Sequence, residues 1–187
     1  MLKIAIVTGT TRPGRKNLEV SKWVKELADK RQDAVYEIVD IADYNLPLLD
    51  EAIPAGYGQY ANEHTKKWAS KIAEFDGFVF VTPEYNHSFS PALKNAIDFI
   101  YAEWTNKAAG FVSYGSALGV RAVEQLRQIM AELQIADVRT SVMLSLFTDF
   151  ENFAAFTPDA RHETSLNGML DQLLAWSGAL RTVRVKA

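Results

Sequence analysis

A chain of 187 residues with 48% hydrophobic and 23% charged residues has the composition of a folded globular protein about one domain long, and residues 1–187 are expected to form a single domain. A net charge of -3 argues against nucleic acid as the main partner, because tracking a phosphate backbone over a wide face needs excess Lys and Arg. The absence of cysteine excludes disulfides, thiolate nucleophiles and cysteine-ligated metals, and three scattered histidines (His64, His87, His162) lack a helical metal-site spacing. No metal site is expected.

Taken in chain order, apolar runs alternate with amphipathic stretches. Leu2–Thr8 reads as a strand, too short an apolar stretch for a signal peptide or a membrane span and followed by a loop without a cleavage-like site, so a soluble cytoplasmic protein is expected. Val20, Trp23, Val24, Leu27 and Ala28 follow at helical spacing to about Arg31, and Val35–Val39 is a second strand. The segment 43–60 carries Pro, Gly and Tyr44, Tyr57 and Tyr60, and is longer than most loops. A helix is predicted around 61–75, a strand over 77–82, a helix over 91–103 and a strand over 107–115. Helix 119–134, strand Ala136–Val142 and helix 164–181 complete the chain, while Phe147, Phe150, Phe153 and Phe156 recur every third residue between the last two. That aromatic run either folds back into the core or meets another subunit.

Five rounds of strand then helix predict an α/β fold with a parallel sheet covered on both faces. Ligands of such sheets sit beyond the C-terminal strand ends, which directs attention to three loops. The first, "GTTRPGRKN" (9–17), offers the hydroxyls of Thr10 and Thr11, the cations Arg12 and Arg15, and Asn17 as a helix cap. Donors gathered at a helix start suit a phosphate, although the loop is neither a Walker loop nor a dinucleotide fingerprint; a solvated basic turn is the bland alternative. The second, Pro83-Glu84-Tyr85-Asn86-His87, crowds rings and amides where a flat heterocycle could be framed; the alternatives are aromatic caps on the core and a solvated or helix-capping Glu84. The third, around Tyr114, Gly115, Ser116 and Gly119, lets a ring approach the backbone beside a helix start. No second carboxylate stands at a general-acid spacing from Glu84, which argues against hydrolysis by a carboxylate pair.

At these residues the chain resembles the NAD(P)H-dependent FMN reductases of the flavodoxin-like group. Gly9-Thr10-Thr11-Arg12 with Asn17 matches the phosphate loop of that family, Pro83-Glu84-Tyr85-Asn86 its second block, and "FVSYG" with "RAVEQLR" the third loop and helix. The resemblance spans about residues 1–140. It implies a three-layer flavodoxin-like sandwich, its five-stranded sheet ordered 2-1-3-4-5. It also implies non-covalent FMN, NADPH or NADH as co-substrate, and a small-molecule electron acceptor such as a quinone, azo compound, flavin or metal oxyanion. It implies a homodimer or tetramer and no essential side-chain acid or base. The cofactor-binding residues implied are Thr10, Arg12, Arg15, Asn17, Pro83, Glu84, Tyr85, Asn86, His87, Tyr114, Gly115, Ser116 and Gly119. The rivals are a flavodoxin-type electron carrier and a flavin-binding redox sensor, which would use the same pocket. One departure stands out: where the family commonly carries a Gly-Gly pair, Leu118 precedes Gly119.

Overall fold

Five strands form one parallel sheet in the order β2-β1-β3-β4-β5 in the computed structural model, which describes residues 1–184. They are β1 (Leu2–Thr8), β2 (Ala34–Val39), β3 (Gly77–Pro83), β4 (Ala108–Gly115) and β5 (Ala136–Ser145). Every residue of β3 and β4 is buried, as central strands covered on both faces require, whereas the edge strands β2 and β5 mix buried residues with partly buried and exposed ones. This is the order and layering expected for a flavodoxin-like fold.

Helices α1 (Asn17–Asp29) and α5 (Arg161–Arg184) cover one face, packing Val20, Val24, Leu166 and Leu173 on Ile4, Ile6, Val79 and Val112. Helices α2 (Glu63–Ala73), α3 (Pro91–Asp98) and α4 (Val120–Glu132) cover the other, setting Trp68, Leu93 and Leu126 against Phe78, Phe80 and Phe111. Two short 3-10 turns, Ile41–Tyr44 and Ala55–Tyr57, punctuate the long 43–60 segment.

Helix α3 starts where Ser90 caps it, its Oγ accepting from Leu93 N at 3.1 Å with Pro91 next in line. It stops at Asp98, short of the predicted residue 103. Phe99, Ile100 and Trp104 prolong the apolar spacing because they are core residues, but they lie beyond the helix in turns and irregular chain. In the other direction β5 runs three residues beyond Val142, and α5 extends past both predicted ends. Between them lies a small antiparallel hairpin, β6 (Phe150–Glu151) and β7 (Ala155–Phe156), which no periodicity announces.

The register aligns the strand ends that matter. Thr8 lies opposite Val81, Pro83 opposite Tyr114, and Gly115 opposite Ser145, so the loops after β1, β3, β4 and β5 emerge along one edge. No described helix is long and apolar enough to cross a membrane.

Candidate functional site

The loop after β1 is held from beneath. Asn17 is fully buried; its Oδ1 accepts from Gly9 N at 2.9 Å and its Nδ2 donates to Val81 O at 2.8 Å, tying the loop to β3. It is not the helix cap: Lys16 holds that position and makes no side-chain cap bond. The amide is committed to bracing two strands, because a Gly9 Cβ would stand 2.5 Å from Val81 O and the backbones meet directly. Thr10 is buried as well. Its Oγ1 accepts from Arg12 N at 3.2 Å and bonds the Tyr85 hydroxyl at 3.0 Å, joining the first loop to the second.

Above this brace the loop is rich in donors and poor in acceptors. The N–H groups of Thr11, Gly14 and Lys16 meet no acceptor among the described residues. Arg12 is exposed and makes no ion pair there. Arg15 is half-buried against Asp40, yet its Nε is buried without a partner. Asp40 itself is fixed by Thr8 Oγ1 at 2.8 Å and Ala42 N at 3.0 Å. Unpaired N–H groups and an orphaned guanidinium nitrogen at a helix start are what an anion completes.

The second loop is a tight turn. Tyr85 N donates to Ser88 O at 2.7 Å and Ser88 N to Tyr85 O at 3.1 Å, with Asn86 at φ 49° and His87 at φ 74° between them. Positive φ at both central residues defines the turn type that suits a narrow hairpin, and Asn is the side chain that tolerates it best. The presence of Asn86 therefore has a conformational reason beside any contact with a ring. His87 points its Nδ1 to Arg121, 3.1 Å away. Glu84 is nearly buried, accepts from Arg121 N and Nε, and so caps α4 from a different loop.

The third loop leans on the same carboxylate. A Cβ on Gly115 would meet Glu84 Cβ at 3.2 Å, and one on Gly119, at φ 72°, would stand 2.6 Å from Ser113 Cβ. Tyr114 is buried against Phe150, and burial holds its hydroxyl protonated well above the usual tyrosine range.

Of the predicted residues, Arg12, Arg15, Pro83, Glu84, Tyr85, Tyr114 and Gly115 surround one cleft of about 310 Å³, and Asn86 joins Arg12 and Tyr85 in an adjoining depression of about 480 Å³. Thr10 and Asn17 lie below as supports. His87 and Ser116 are exposed outside the cleft lining, and Gly119 sits under the third loop rather than facing the cleft. Sequence reasoning missed Asp40, Arg121, Leu146 and Phe153. Asp40 had a signal, a carboxylate directly after a strand; Arg121 lies 37 residues from Glu84 and had none.

Fold and cleft together define a flavodoxin-like protein with an anion-ready loop beside a cleft lined by Tyr85, Tyr114 and Gly115. The family model of NADPH-dependent FMN reductases matches residues 2–149, and the chain belongs to that family. An NAD(P)H-dependent FMN reductase of Schizosaccharomyces pombe is 40% identical over 149 residues, 79% of this chain and 74% of that protein. One from Nectria sp is 35% identical over 174 residues, 88% and 86% of the two chains. A quinone reductase of Pseudomonas putida is 33% identical over 158 residues, 78% of this chain and 81% of that one. The solved flavoenzyme NAD(P)H:(acceptor) oxidoreductase FerB from Paracoccus denitrificans superposes with a TM-score of 0.74 at 21% identity, covering 96% of this chain and 98% of that one, a likeness of fold.

Proposed function

We propose that the chain, acting as one domain over residues 1–187, is an FMN-dependent oxidoreductase that uses NADPH or NADH to reduce a small-molecule acceptor. The observation that carries this reading is the donor-rich, acceptor-poor loop after β1 opening on the same cleft as Tyr85 and Gly115. When bound, FMN supplies the hydride-transfer chemistry that no side chain here needs to perform.

In this reading Arg12, Arg15 Nε and the free N–H groups of Thr11, Gly14 and Lys16 hold the phosphate. Thr10 and Asn17 keep that loop in shape. Tyr85, Asn86 and Pro83 border the ring, while the Gly115 backbone and the start of α4 favour negative charge close by. Relatives bearing the name quinone reductase support a quinone as acceptor. A cytoplasmic setting, where reduced nicotinamide is abundant, belongs to the same reading. So does a homodimer or tetramer, supported by exposed Leu48, Leu49 and Tyr57 in the 43–60 segment; a monomeric mass by light scattering would remove it.

The test is a visible spectrum of the protein with FMN, before and after anaerobic NADPH or NADH. A bound-flavin spectrum that bleaches supports the reductase. Bound flavin that stays oxidised with both nucleotides points to a carrier or sensor. In parallel, Arg12→Ala should weaken FMN binding about 10- to 100-fold, the worth of one charge-assisted phosphate contact; unchanged affinity would take Arg12 out of the site.

A further inference from the structure

The hairpin after β5 is rigid at its base and strained at its tip. Asp149, fully buried, accepts from Ser145 N at 2.8 Å and Asp159 N at 3.2 Å, and pairs with His162 Nε2 at 2.9 Å. Burial alone would raise its carboxyl, but those N–H groups and the His162 ring outweigh it and hold the carboxyl below its usual range. Phe150 and Phe156 pack 5.1 Å apart and continue the contact to Tyr114 on one side and Trp23 on the other. A base anchored by a carboxylate hub and four aromatic rings has little freedom to swing.

At the tip, Ala154 N donates to Glu151 O at 2.9 Å and closes a turn in which Asn152 stands at φ 52° and Phe153 at φ 56°. Gly is the usual residue at the second of these positions, and a ring residue there is strained. Phe153 gains little packing in exchange. It is 63% exposed, touching Phe147 edge-on at 5.8 Å, and it lines the cleft of Arg12, Tyr85 and Gly115. Residues held in a strained backbone conformation persist where surrounding structure imposes it, and they gather at ligand sites. The hairpin, residues 150–156, also lies beyond the 2–149 stretch that the family model matches.

We propose that Phe153, propped by Phe147, is a cofactor-binding residue: the β6–β7 hairpin forms an additional wall of the cleft and lays an apolar ring against bound FMN, slowing its escape. The inference rests on the FMN reading. The cationic loop after β1 can neutralise a phosphate but offers no apolar cover. Phe153 offers that cover from a fixed base.

FMN fluorescence quenching and stopped-flow dissociation are measured on the wild type, Phe153→Ala, Phe153→Gly, Phe153→Trp and Arg12→Ala, with the melting temperature of each apoprotein. Loss of Phe153 should weaken FMN about tenfold, chiefly through faster dissociation, the order of magnitude for part of one buried aromatic ring. Phe153→Trp should restore retention. The apoprotein of Phe153→Gly should melt no lower than wild type, because glycine relieves the turn; a purely structural ring would lower it. Wild-type affinity in Phe153→Ala and Phe153→Gly alongside weakened Arg12→Ala would overturn the wall and leave the FMN reading standing. A changed mass by light scattering with unchanged FMN affinity would also overturn it, making Phe153 a subunit contact. No FMN binding by any form, wild type included, would sink both.

Discussion

Leu118 and Gly119 show how neighbouring residues can share a backbone shape and differ in what it costs. Leu118 stands at φ 59° and Gly119 at φ 72°, in the turn that delivers β4 to α4. Leu118 N donates to Gly115 O at 3.1 Å and its carbonyl accepts from Ser113 Oγ at 2.8 Å, so the turn imposes the left-handed shape. A leucine there carries a penalty of about 1 kcal/mol that glycine does not. Leu118 is 37% exposed, so the buried remainder of its side chain offsets part of that penalty. Leu118→Gly and Leu118→Ala both lose that packing, and glycine alone relieves the left-handed shape, so Leu118→Gly should be about 1 kcal/mol more stable than Leu118→Ala in urea titrations; a glycine variant no more stable than the alanine one would contradict the account. The sequence showed this departure from its relatives, because a missing glycine is visible in a motif. It did not show why Gly119 must remain. That reason is Ser113 Cβ, 2.6 Å from where a Gly119 side chain would begin.

At the scale of elements, the strands were legible and their connections were not. Strands buried on both faces write continuous apolar runs, as Phe78–Val81 does, and helices write a 3.6-residue period. The end of α3 and the β6–β7 hairpin write neither. Core residues in turns mimic a helix in one, and in the other Phe150 and Phe156 turn inward while Phe147 and Phe153 stay out. Phe150 and Phe153 therefore took opposite environments in a run that composition treats alike. The reading of Glu84 as a helix-capping carboxylate was right in kind, but the helix it caps is α4. That pairing couples the second and third loops: one carboxylate, about 4% exposed, accepts from the Arg121 backbone at 3.2 Å and its Nε at 2.6 Å. Arg121→Ala strands a buried charge, a loss of about 3–5 kcal/mol where both partners are desolvated. Since the Arg121 side chain is 40% exposed, screening reduces the expected loss to about 2 kcal/mol. Glu84→Gln should cost less, because an amide oxygen still accepts from α4. A double-mutant cycle in urea checks the coupling, and strictly additive losses would mean that the two loops stand independently.

For the molecule as a whole, the sheet has a working edge and a closed one, and a buried cation lies at the closed end. Lys107, 3% exposed just before β4, donates Nζ to Ile72 O at 2.9 Å, one of the last carbonyls of α2, and lies over the Phe78 ring. Arg184 and Asp76 close the same end, Arg184 donating to Asp76 Oδ1 at 2.5 Å. Burial, with a smaller push from Arg184, lowers the Lys107 ammonium to about 8, below the 10.5 of a solvated lysine. Between pH 8 and 10 the unfolded chain thus keeps a proton that the folded protein releases. Unfolding free energy should rise with pH across that window, by at most about 1.4 kcal/mol per unit for one proton. Above pH 10 the trend reverses, because burial holds the hydroxyls of Tyr36, Tyr60 and Tyr114 protonated beyond the point where unfolded tyrosines ionise; Tyr60 is pushed up to about 12. Lys107→Met keeps the apolar stem and removes the titrating group. Urea titrations at pH 7.5, 9 and 10 should show the rise in wild type and a flatter profile in the variant. Equal slopes would mean that the ammonium finds enough water or counter-charge at the sheet's closed edge to titrate as it does in the unfolded chain.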